Sequence, residues 1–381
     1  MSPRVLLVAG EASGDLRGAE LVRELRERVP DVEILGVGGE RLREAGMQIT
    51  VPAADLSIMG LTEVTRRLPT VLRSYRQLRR EIIGGGPDGR RPDLVILIDF
   101  PDFNLRLAAV AKGIGVPVLY YVSPQVWAWR RYRIKTLARR VDRLAVVFPF
   151  EEELYRGLTD VTFVGHPGLE TVRAKRTREE VRRTLGIEDD RPLVALLPGS
   201  RSAEVRELLP PMRASLDRLG SPVHAAVALA DESLRPAASE LAGGLPLVAG
   251  QTYDLVAAAD LVLVASGSAS LETALLGRPM VICYRLSAVS YAVARALVRV
   301  SFIGMPNLIL DKRAVPELIQ GDVTAERIAA EARAILDDPA RSAAIEADLR
   351  RVRERLGEPG AARRAAGIAA EMLFVGPPGL R

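Results

Sequence analysis

The sequence of 381 residues has few of the residue types that build several common kinds of functional site. A single cysteine, Cys283, excludes an internal disulfide, and its apolar neighbours predict a small core residue. Two histidines and one cysteine argue against a structural zinc site. Aromatic residues make up 4% of the chain and do not interleave with a basic run, which disfavours nucleic acid as a partner. No uninterrupted run of about 18 apolar residues occurs, so we expect no membrane-spanning helix, and we expect no signal peptide.

Hydrophobic residues make up 48% of the chain, and the length suits two domains with a core each. The formal net charge is +5, carried mainly by arginine. Such a balance suits an anionic partner, such as phosphate groups or an acidic lipid surface. A GC-rich genome that favours arginine over lysine explains the same composition equally well.

Short apolar runs alternate with helical patterns along both halves of the chain. Continuous apolar runs are typical of parallel strands that are covered on both faces, so each half predicts a doubly wound α/β domain. We place the domains at 1–172 and 173–351, with a terminal helix at about 352–381 that is available to pack back on the first. Ligands of such folds bind at the carboxyl ends of the strands. The predicted strands are 5–9, 32–37, 94–99, 118–122, 144–148 and 161–164, followed by 193–197, 223–229, 245–248, 261–265 and 280–284.

The loop from Gly10 to Asp15 joins the first strand to the first helix and reads Gly-Glu-Ala-Ser-Gly-Asp. Its glycines allow backbone N–H groups to approach an anion at the helix N-terminus. Glu11, Ser13 and Asp15 add groups that suit sugar hydroxyls. A plain capping turn with Ser13 as the N-cap explains the loop equally well. The loop is not Gly-x-Gly-x-x-Gly, so a dinucleotide site is disfavoured.

A second candidate follows the buried strand that ends at Ile98, where the chain reads Asp-Phe-Pro-Asp-Phe-Asn. Transfer of a group to a hydroxyl needs a base to take the proton. Asp99 is the better candidate because it lies at the strand end. Asp102 and Asn104 are candidates for orienting it or binding an acceptor, and capping of the next helix is the competing interpretation.

Both tryptophans of the chain, Trp127 and Trp129, follow the next predicted strand. A tryptophan beside polar groups can stack on the face of a sugar, although ordinary packing explains the pair as well. Arg130 begins a basic run that predicts either a phosphate contact or a solvated helix face.

The strongest element of the second half is Leu-Pro-Gly-Ser-Arg at 197–201. Gly199 allows close approach of the backbone, Ser200 supplies a donor, and Arg201 suits bidentate contacts to a diphosphate. Without a metal, arginine and helix-dipole charge must stabilise a departing diphosphate. Glu204, three residues later, is placed to fix the Arg201 rotamer.

A run of small residues, Ser266, Gly267 and Ser268, opens a later helix, and Glu272 lies one turn inside it. A carboxylate there can accept hydrogen bonds from both ribose hydroxyls. A capping arrangement is the alternative, although the spacing is one residue too long for the usual capping box. Two weaker candidates for UDP binding lie among apolar residues further on: Asn307 and Glu317.

Together these motifs resemble the lipid-A-disaccharide synthase family and occur in that family's order over nearly the whole chain. One departure is visible, since Phe100 stands where the family often has alanine, and it bears on the acceptor side more than on the reaction type. The segments that carry the resemblance are 10–15, 98–104, 121–130, 164–167, 197–205, 265–272 and 306–308.

The resemblance implies the GT-B fold of inverting glycosyltransferases, an α/β fold with two doubly wound, Rossmann-like domains that face each other across a cleft. The implied reaction transfers 2,3-diacylglucosamine from UDP-2,3-diacylglucosamine to 2,3-diacylglucosamine 1-phosphate (lipid X). The products are UDP and the β-1′,6-linked disaccharide 1-phosphate, and neither a metal nor another cofactor is implied. By resemblance Asp99 is the base, Arg201 contacts the diphosphate, Glu272 lies on the ribose side, and Glu11 and Ser13 belong to the glycine-rich catalytic loop.

The resemblance also implies a cytoplasmic enzyme that is peripheral on the inner membrane. The stretch 61–83 offers a matching feature, because apolar residues recur there at three- and four-residue steps among arginines. A basic amphipathic helix lies on anionic membranes, although Pro69 would kink or split it and an ordinary domain helix with a basic face is the alternative. The family forms dimers that exchange a C-terminal segment, and the break at 357–360 would permit a homodimer of that kind.

Two other functions remain open from the residues alone. A UDP-N-acetylglucosamine 2-epimerase would share the fold and the UDP site, and it would consume its substrate without an acceptor. A non-catalytic UDP-lipid-binding protein would bind UDP tightly and form no product. Asp99 and Asp102 disfavour the second function, because a scaffold has no use for a base.

Overall fold

The structure is a computed structural model that describes residues 2–56, 61–84, 86, 89–124, 133–286, 291 and 301–375, with the backbone alone for 12, 61–67 and 375. Its internal contacts divide the chain into two compact units. Met1–Pro167 and Gly357–Arg381 form the first unit, and Gly168–Leu356 form the second. The division after Pro167 lies five residues before the boundary that the sequence suggests.

The first unit is built on a parallel sheet whose strands include the continuous apolar runs of the sequence. The strands of this sheet are β1 (Arg4–Ala9), β2 (Glu33–Gly38), β3 (Gln48–Pro52), β4 (Leu94–Ile98), β5 (Val118–Tyr121), β6 (Arg143–Val146) and β7 (Asp160–Phe163). The order is β3-β2-β1-β4-β5-β6-β7. From the centre of the sheet the strand numbers rise toward β3 on one side and toward β7 on the other. The switch point, at which doubly wound sheets bind ligands, therefore lies between β1 and β4.

Helices cover this sheet, and their bounds are α1 (Ala12–Arg28), α2 (Glu40–Glu44), α3 (Leu61–Ile83), α4 (Pro101–Gly113), α5 (Arg133–Arg140) and α6 (Pro149–Tyr155). The helix α3 continues through Pro69, so the predicted split does not occur. Its residues Leu78 and Ile82 are fully buried against the sheet, and Tyr75 meets Phe103 of α4 edge to face at 6.0 Å.

The second unit contains the other parallel sheet, of order β10-β9-β8-β11-β12-β13, with strands β8 (Leu193–Leu197), β9 (His224–Leu229), β10 (Leu247–Ala249), β11 (Leu261–Ala265), β12 (Met280–Tyr284) and β13 (Glu317–Ile319). Cys283 is completely buried in β12, as predicted, and burial raises the pKa of its thiol to about 12. The helices of this unit are α7 (Gly168–Thr171), α8 (Arg178–Thr184), α9 (Ser202–Leu216), α10 (Arg235–Leu241), α11 (Thr252–Ala258), α12 (Ser268–Leu275), α13 (Met305–Leu310), α14 (Ala325–Leu336) and α15 (Pro339–Arg355).

The two-sheet α/β fold is confirmed, and the strands that the sequence missed are β3 and β13. Both lie at sheet edges, where a strand lacks the continuous apolar run of a central one. Among the residues that are described, no helix combines the length and apolarity needed to cross a membrane.

The last helix, α16 (Ala361–Val375), follows the predicted break at 357–360 and packs against α1 of the first unit. Arg364 donates to the carbonyl of Val164 at 2.9 Å, and Arg143 pairs with Glu371 at 2.6 Å. Exchange of this helix between two copies stays a prediction.

Candidate active site

The carboxyl end of β4 carries a strained turn. Asp99 and Phe100 have φ angles of 48° and 49°, and Val122, at the end of the neighbouring β5, has 60°. L-residues avoid this region, and a β-branched residue avoids it most. Such strain persists where the surrounding structure enforces it, and it clusters at functional sites. The turn lies beside the switch point of the sheet.

Two buried side chains hold the turn through the backbone carbonyl of Asp99. The Asn104 amide donates to this oxygen at 2.7 Å and to the carbonyl of Ile98 at 3.2 Å. The Tyr120 hydroxyl donates to the same Asp99 carbonyl. Asn104 is completely buried and both N–H groups of its amide are engaged, which does not suit the predicted contact to an acceptor, while its Oδ1 has no partner among the described residues. It is a positioning residue.

Asp99 is half-buried, and the partial removal of its carboxyl from water raises its pKa, while the charge of Arg17 partly offsets the rise. Its Oδ1 accepts from the N–H of Phe100 at 3.0 Å. A carboxylate with a raised pKa is a stronger base at neutral pH. Sequence reasoning missed Arg17, whose only signal was its place one turn beyond Ser13 in the helix.

The glycine-rich loop lies next to this turn. A Cβ at Gly10 would lie 2.8 Å from the Phe100 ring, so only glycine fits there. Glu11 is the N-cap of α1, so the alternative interpretation, in which Ser13 is the N-cap, is wrong. The side chains of Glu11 and Ser13 are exposed.

Asp15 is not placed to meet a sugar. Its carboxylate is buried and accepts from the N–H groups of Gly39 at 2.6 Å, Arg41 at 3.2 Å and Leu42 at 3.3 Å. It therefore satisfies the free N–H groups at the start of α2.

The predicted acceptor residues are only partly described. Asp102 is 69% exposed in the first turn of α4 and forms an ion pair with Arg133 at the start of α5. Trp127 and Arg130 lie outside the described residues. Nearby, His166 stacks near Phe148 with 5.3 Å between the ring centres, and burial lowers its pKa to about 3. His166 is therefore neutral at physiological pH and gives no charge to bind a phosphate.

In the second unit, the turn after β8 is tied together by one carboxylate. Gly199 has a φ of 118°, and a Cβ on it would lie 2.4 Å from Glu204 Oε2. That oxygen accepts from the N–H groups of Ser200 at 2.8 Å and Arg201 at 3.3 Å. The other oxygen contacts the Arg201 guanidinium at 3.0 Å, and the Arg201 side chain is 80% exposed.

This geometry leaves specific donors for a ligand. The two backbone N–H groups are already engaged by Glu204, whereas a guanidinium has five N–H donors. Arg201 therefore keeps donors available, and the Ser200 side chain is exposed. These two side chains are therefore candidates for a diphosphate contact at this turn.

The turn after β11 lies beside the neighbouring loop. Ser266 donates from its hydroxyl to the carbonyl of Ile303 at 3.2 Å. Gly267 is the N-cap of α12 with a φ of 148°, and it is exposed together with Ser268. These residues open α12 as the sequence predicts.

Two tyrosines in this unit were missed by sequence reasoning. Burial and the neighbouring Glu272, a hydrogen-bond partner, raise the pKa of Tyr253 to about 12. Burial also raises the pKa of Tyr284, which senses the charges of Glu204 and Arg201. Neither tyrosine lies in a glycine- or serine-rich turn, so the sequence offered no local signal.

Asn307, which is buried, and Glu317, which is half-buried, form a hydrogen-bonded clamp. Glu317 accepts from the N–H groups of Ile303 at 3.0 Å and Gly304 at 2.9 Å, and from the Asn307 amide at 2.7 Å. Asn307 also donates to Val315 and accepts from two N–H groups, which uses its whole amide. The prediction that Asn307 contacts UDP does not fit this environment, because it has no donor or acceptor left. Both residues position the loop that Ser266 contacts.

Comparison with known proteins places the chain. A profile of the lipid-A-disaccharide synthetase family matches residues 5–372. A lipid-A-disaccharide synthase of Syntrophus aciditrophicus is 48% identical over 381 residues, with 98% of each protein covered. The chain belongs to the lipid-A-disaccharide synthetase family. The resemblance found in the motifs is thereby confirmed, and the chain is a glycosyltransferase of lipid A biosynthesis.

Solved structures support the fold of this family member. A candidate UDP-N-acetylglucosamine 2-epimerase of Listeria monocytogenes superposes with a TM-score of 0.64 at 14% identity, covering 98% of this chain and 97% of that one. The calicheamicin glycosyltransferase CalG4 superposes with a TM-score of 0.59 at 16% identity, covering 99% and 100%. Likeness at this identity shows the fold alone, so the epimerase alternative gains nothing from it. Within the described ranges, no three His, Cys, Asp or Glu residues gather into a metal site.

Replacing Arg17 by alanine should raise the pKa of Asp99 further, because the guanidinium charge favours the carboxylate. A base works only when unprotonated, so activity is lost as pH falls through its pKa. The acid limb of the kcat/KM profile should therefore move to higher pH by about 0.5–1 unit. Arg23→Ala, on the exposed face of the same helix, is the matched control. An unmoved acid limb in Arg17→Ala would refute the coupling.

Proposed function

We propose that the chain transfers 2,3-diacylglucosamine from UDP-2,3-diacylglucosamine to 2,3-diacylglucosamine 1-phosphate (lipid X). The products are the β-1′,6-linked disaccharide 1-phosphate and UDP. Family membership supports a lipid A glycosyltransferase. In each of the two units, the turns at the carboxyl ends of the strands carry side chains that suit one part of the reaction. The single observation that carries the proposed chemistry is the strained, desolvated Asp99.

The second unit binds the donor in this proposal. The Arg201 guanidinium and Ser200 hydroxyl contact the diphosphate, at a turn where Gly199 allows close approach. Glu272, oriented by Tyr253, accepts hydrogen bonds from the ribose hydroxyls. Planar guanidinium donors match phosphate oxygens in pairs, and they stabilise the negative charge that develops on departing UDP.

The first unit binds the acceptor and carries out the proton transfer. The oxygen of the acceptor 6-hydroxyl attacks C1 of the donor sugar, and the Asp99 carboxylate takes the hydroxyl proton. The bond from C1 to the diphosphate oxygen breaks, and its electron pair leaves with UDP. Attack on the side opposite to the leaving group inverts C1 and gives the β linkage. Glu11 and Ser13, exposed beside the turn, are the proposed contacts to sugar hydroxyls, and Asp102 is an acceptor contact.

Incubation of the protein with UDP-2,3-diacylglucosamine and lipid X should release one UDP for each disaccharide 1-phosphate formed. Mass spectrometry of the lipid fraction and assay of UDP measure the two products separately. Because the reaction is a transfer, UDP release should depend on the acceptor. Absence of the disaccharide at high protein concentration would contradict the proposal.

The same assay separates the alternatives. UDP-N-acetylglucosamine converted without any acceptor would indicate an epimerase. Tight UDP binding with no turnover of either substrate would indicate a binding protein.

We also propose that the outer face of α3 contacts the inner-membrane surface. Leu68 and Leu72 are 50% and 40% exposed, and they lie about 40° apart around the helix axis. Arg79 is exposed on the same side, three turns further along. Paired apolar and basic residues on one helix face suit the boundary of an anionic membrane.

Leu68→Gln/Leu72→Gln should weaken binding to vesicles of phosphatidylglycerol and phosphatidylcholine by about tenfold or more, because each leucine loses apolar burial of about 1.5 kcal/mol. Vesicle co-sedimentation at fixed salt measures the effect. Leu158→Gln, which alters an exposed leucine elsewhere in the first unit, is the control and should bind like the wild type. Equal binding by all three proteins would rule out this face.

A further inference from the structure

A cavity of about 790 Å³ lies between α3 and the first half of β1, β2 and β3. Its lining includes Arg4 and Gln48, which begin β1 and β3, and Pro92, which precedes β4. The cavity therefore opens at the amino edge of the sheet. Asp99 lies at the opposite edge, and six residues of β1 put about 20 Å between the two edges.

Five arginines line this cavity, two from the sheet and its neighbouring loop and three from α3. The two arginines outside α3 form ion pairs with Glu33, Arg4 at 3.0 Å and Arg90 at 2.9 Å. The other three lie on successive turns of one side of α3 and are exposed. These three residues are Arg73, Arg76 and Arg80. Within the part of the chain that the structure describes, they have no hydrogen bond or ion pair.

The charge around the cavity is not balanced. Against five guanidinium groups stand the carboxylates of Glu33, Glu81 and Asp93, the last of which accepts from the N–H of Arg4 at 2.7 Å. The excess is two positive charges. Burial raises the pKa of Glu81, whose carboxylate accepts from Gln77 and Thr50 at 3.3 Å each. The floor is apolar, formed in part by Leu6 of β1. Like charges gathered over a low-dielectric wall focus the field and attract an anion.

We propose that this cavity binds a phosphate-bearing ligand at a site separate from the proposed catalytic edge. Its volume lies within the range of about 300–1,000 Å³ that is usual for small-molecule pockets. Guanidinium groups pair with phosphate oxygens in a bidentate manner, and several of them suit a ligand with more than one phosphate charge. The same chemistry is offered by a soluble polyphosphate compound and by an anionic lipid head group.

The cavity borders the proposed membrane face of the same helix. At about 100° per residue, Arg73 and Arg80 lie about 140° and 120° around the axis from Leu68, and Arg76 lies about 40° from Leu72. The buried residues Leu78 and Ile82 lie on the side that faces the core. The cavity arginines and the two leucines therefore occupy adjoining sides of α3, with Arg76 next to the leucines.

The test measures binding of inorganic pyrophosphate by calorimetry at about 0.15 M ionic strength, where exposed charges are screened beyond about 8 Å. Excess UDP is present throughout, so that the donor site is blocked. The wild type should bind pyrophosphate with a dissociation constant below 1 mM, on the order of the strength expected for a charge-assisted pocket. Arg76→Ala/Arg80→Ala should weaken this binding by about tenfold or more, while Arg79→Ala on the same helix should change it less than about twofold.

Glu81→Gln provides a second variant with the opposite sign. It keeps the hydrogen-bonding side chain and removes the negative charge, so pyrophosphate should bind several-fold more tightly. A gain of binding is not the result of misfolding. Circular dichroism of the double variant confirms that its loss of binding occurs in a folded protein.

Vesicles distinguish the two sources of the phosphate. Phosphatidylglycerol vesicles that displace pyrophosphate from the wild type, where phosphatidylcholine vesicles do not, identify a lipid head group. Pyrophosphate that stays bound in the presence of either type of vesicle identifies a soluble ligand. Absence of pyrophosphate binding below 1 mM, or equal binding by the wild type and Arg76→Ala/Arg80→Ala, would overturn the proposal. None of these results depends on glycosyl transfer, so the cavity and the proposed activity fail independently.

Discussion

The backbone carbonyl of Asp99 accepts hydrogen bonds from Asn104 and Tyr120, and the candidate site of the first unit depends on these two bonds. Both donors are buried, so the two bonds are shielded from competing water and hold two consecutive residues in the left-handed region. The turn sets where the carboxylate lies, places the Phe100 ring over Gly10, and begins α4. The proposed base is thus a property of the sheet edge as a whole.

The sequence predicted those features of the fold and of the site that a local residue pattern determines. The apolar runs of central strands, the turns at 197–201 and 265–268, and Asp99 at a strand end were all legible. It failed where hydrogen bonds in the folded chain decide a role. Asn104 and Asn307 read as polar groups available to a ligand, yet both are buried: the Asn104 N–H groups donate to two backbone carbonyls, and the Asn307 amide is fully engaged by backbone groups and Glu317. Arg17 and Tyr253 act through space on other elements, and no local motif marks them.

The arginine excess has two different structural outcomes. Some guanidinium groups are absorbed by the fold, as where Arg178 contacts both carboxylate oxygens of Asp260 at 2.8 and 2.9 Å. Others stay exposed at places where the chain concentrates them, at Arg201 in the second unit and around the cavity beneath α3 in the first. Exposed arginines also occur elsewhere, as at Arg43, Arg156 and Arg313, so the composition is compatible with a genome bias. The group around the cavity is the part of the excess that suits an anionic ligand.

The most direct test of the account compares turnover and UDP affinity in Asp99→Asn. Asparagine keeps the size of the side chain and an oxygen for the Phe100 N–H, and it removes the ability to take a proton. We predict that kcat falls by about 10²–10⁴-fold. The UDP dissociation constant, measured on the same preparation, should stay within about twofold of the wild type, because the proposed UDP site lies in the second unit. Retained turnover, or losses of equal size in turnover and UDP affinity, would contradict the assignment of Asp99 as the base.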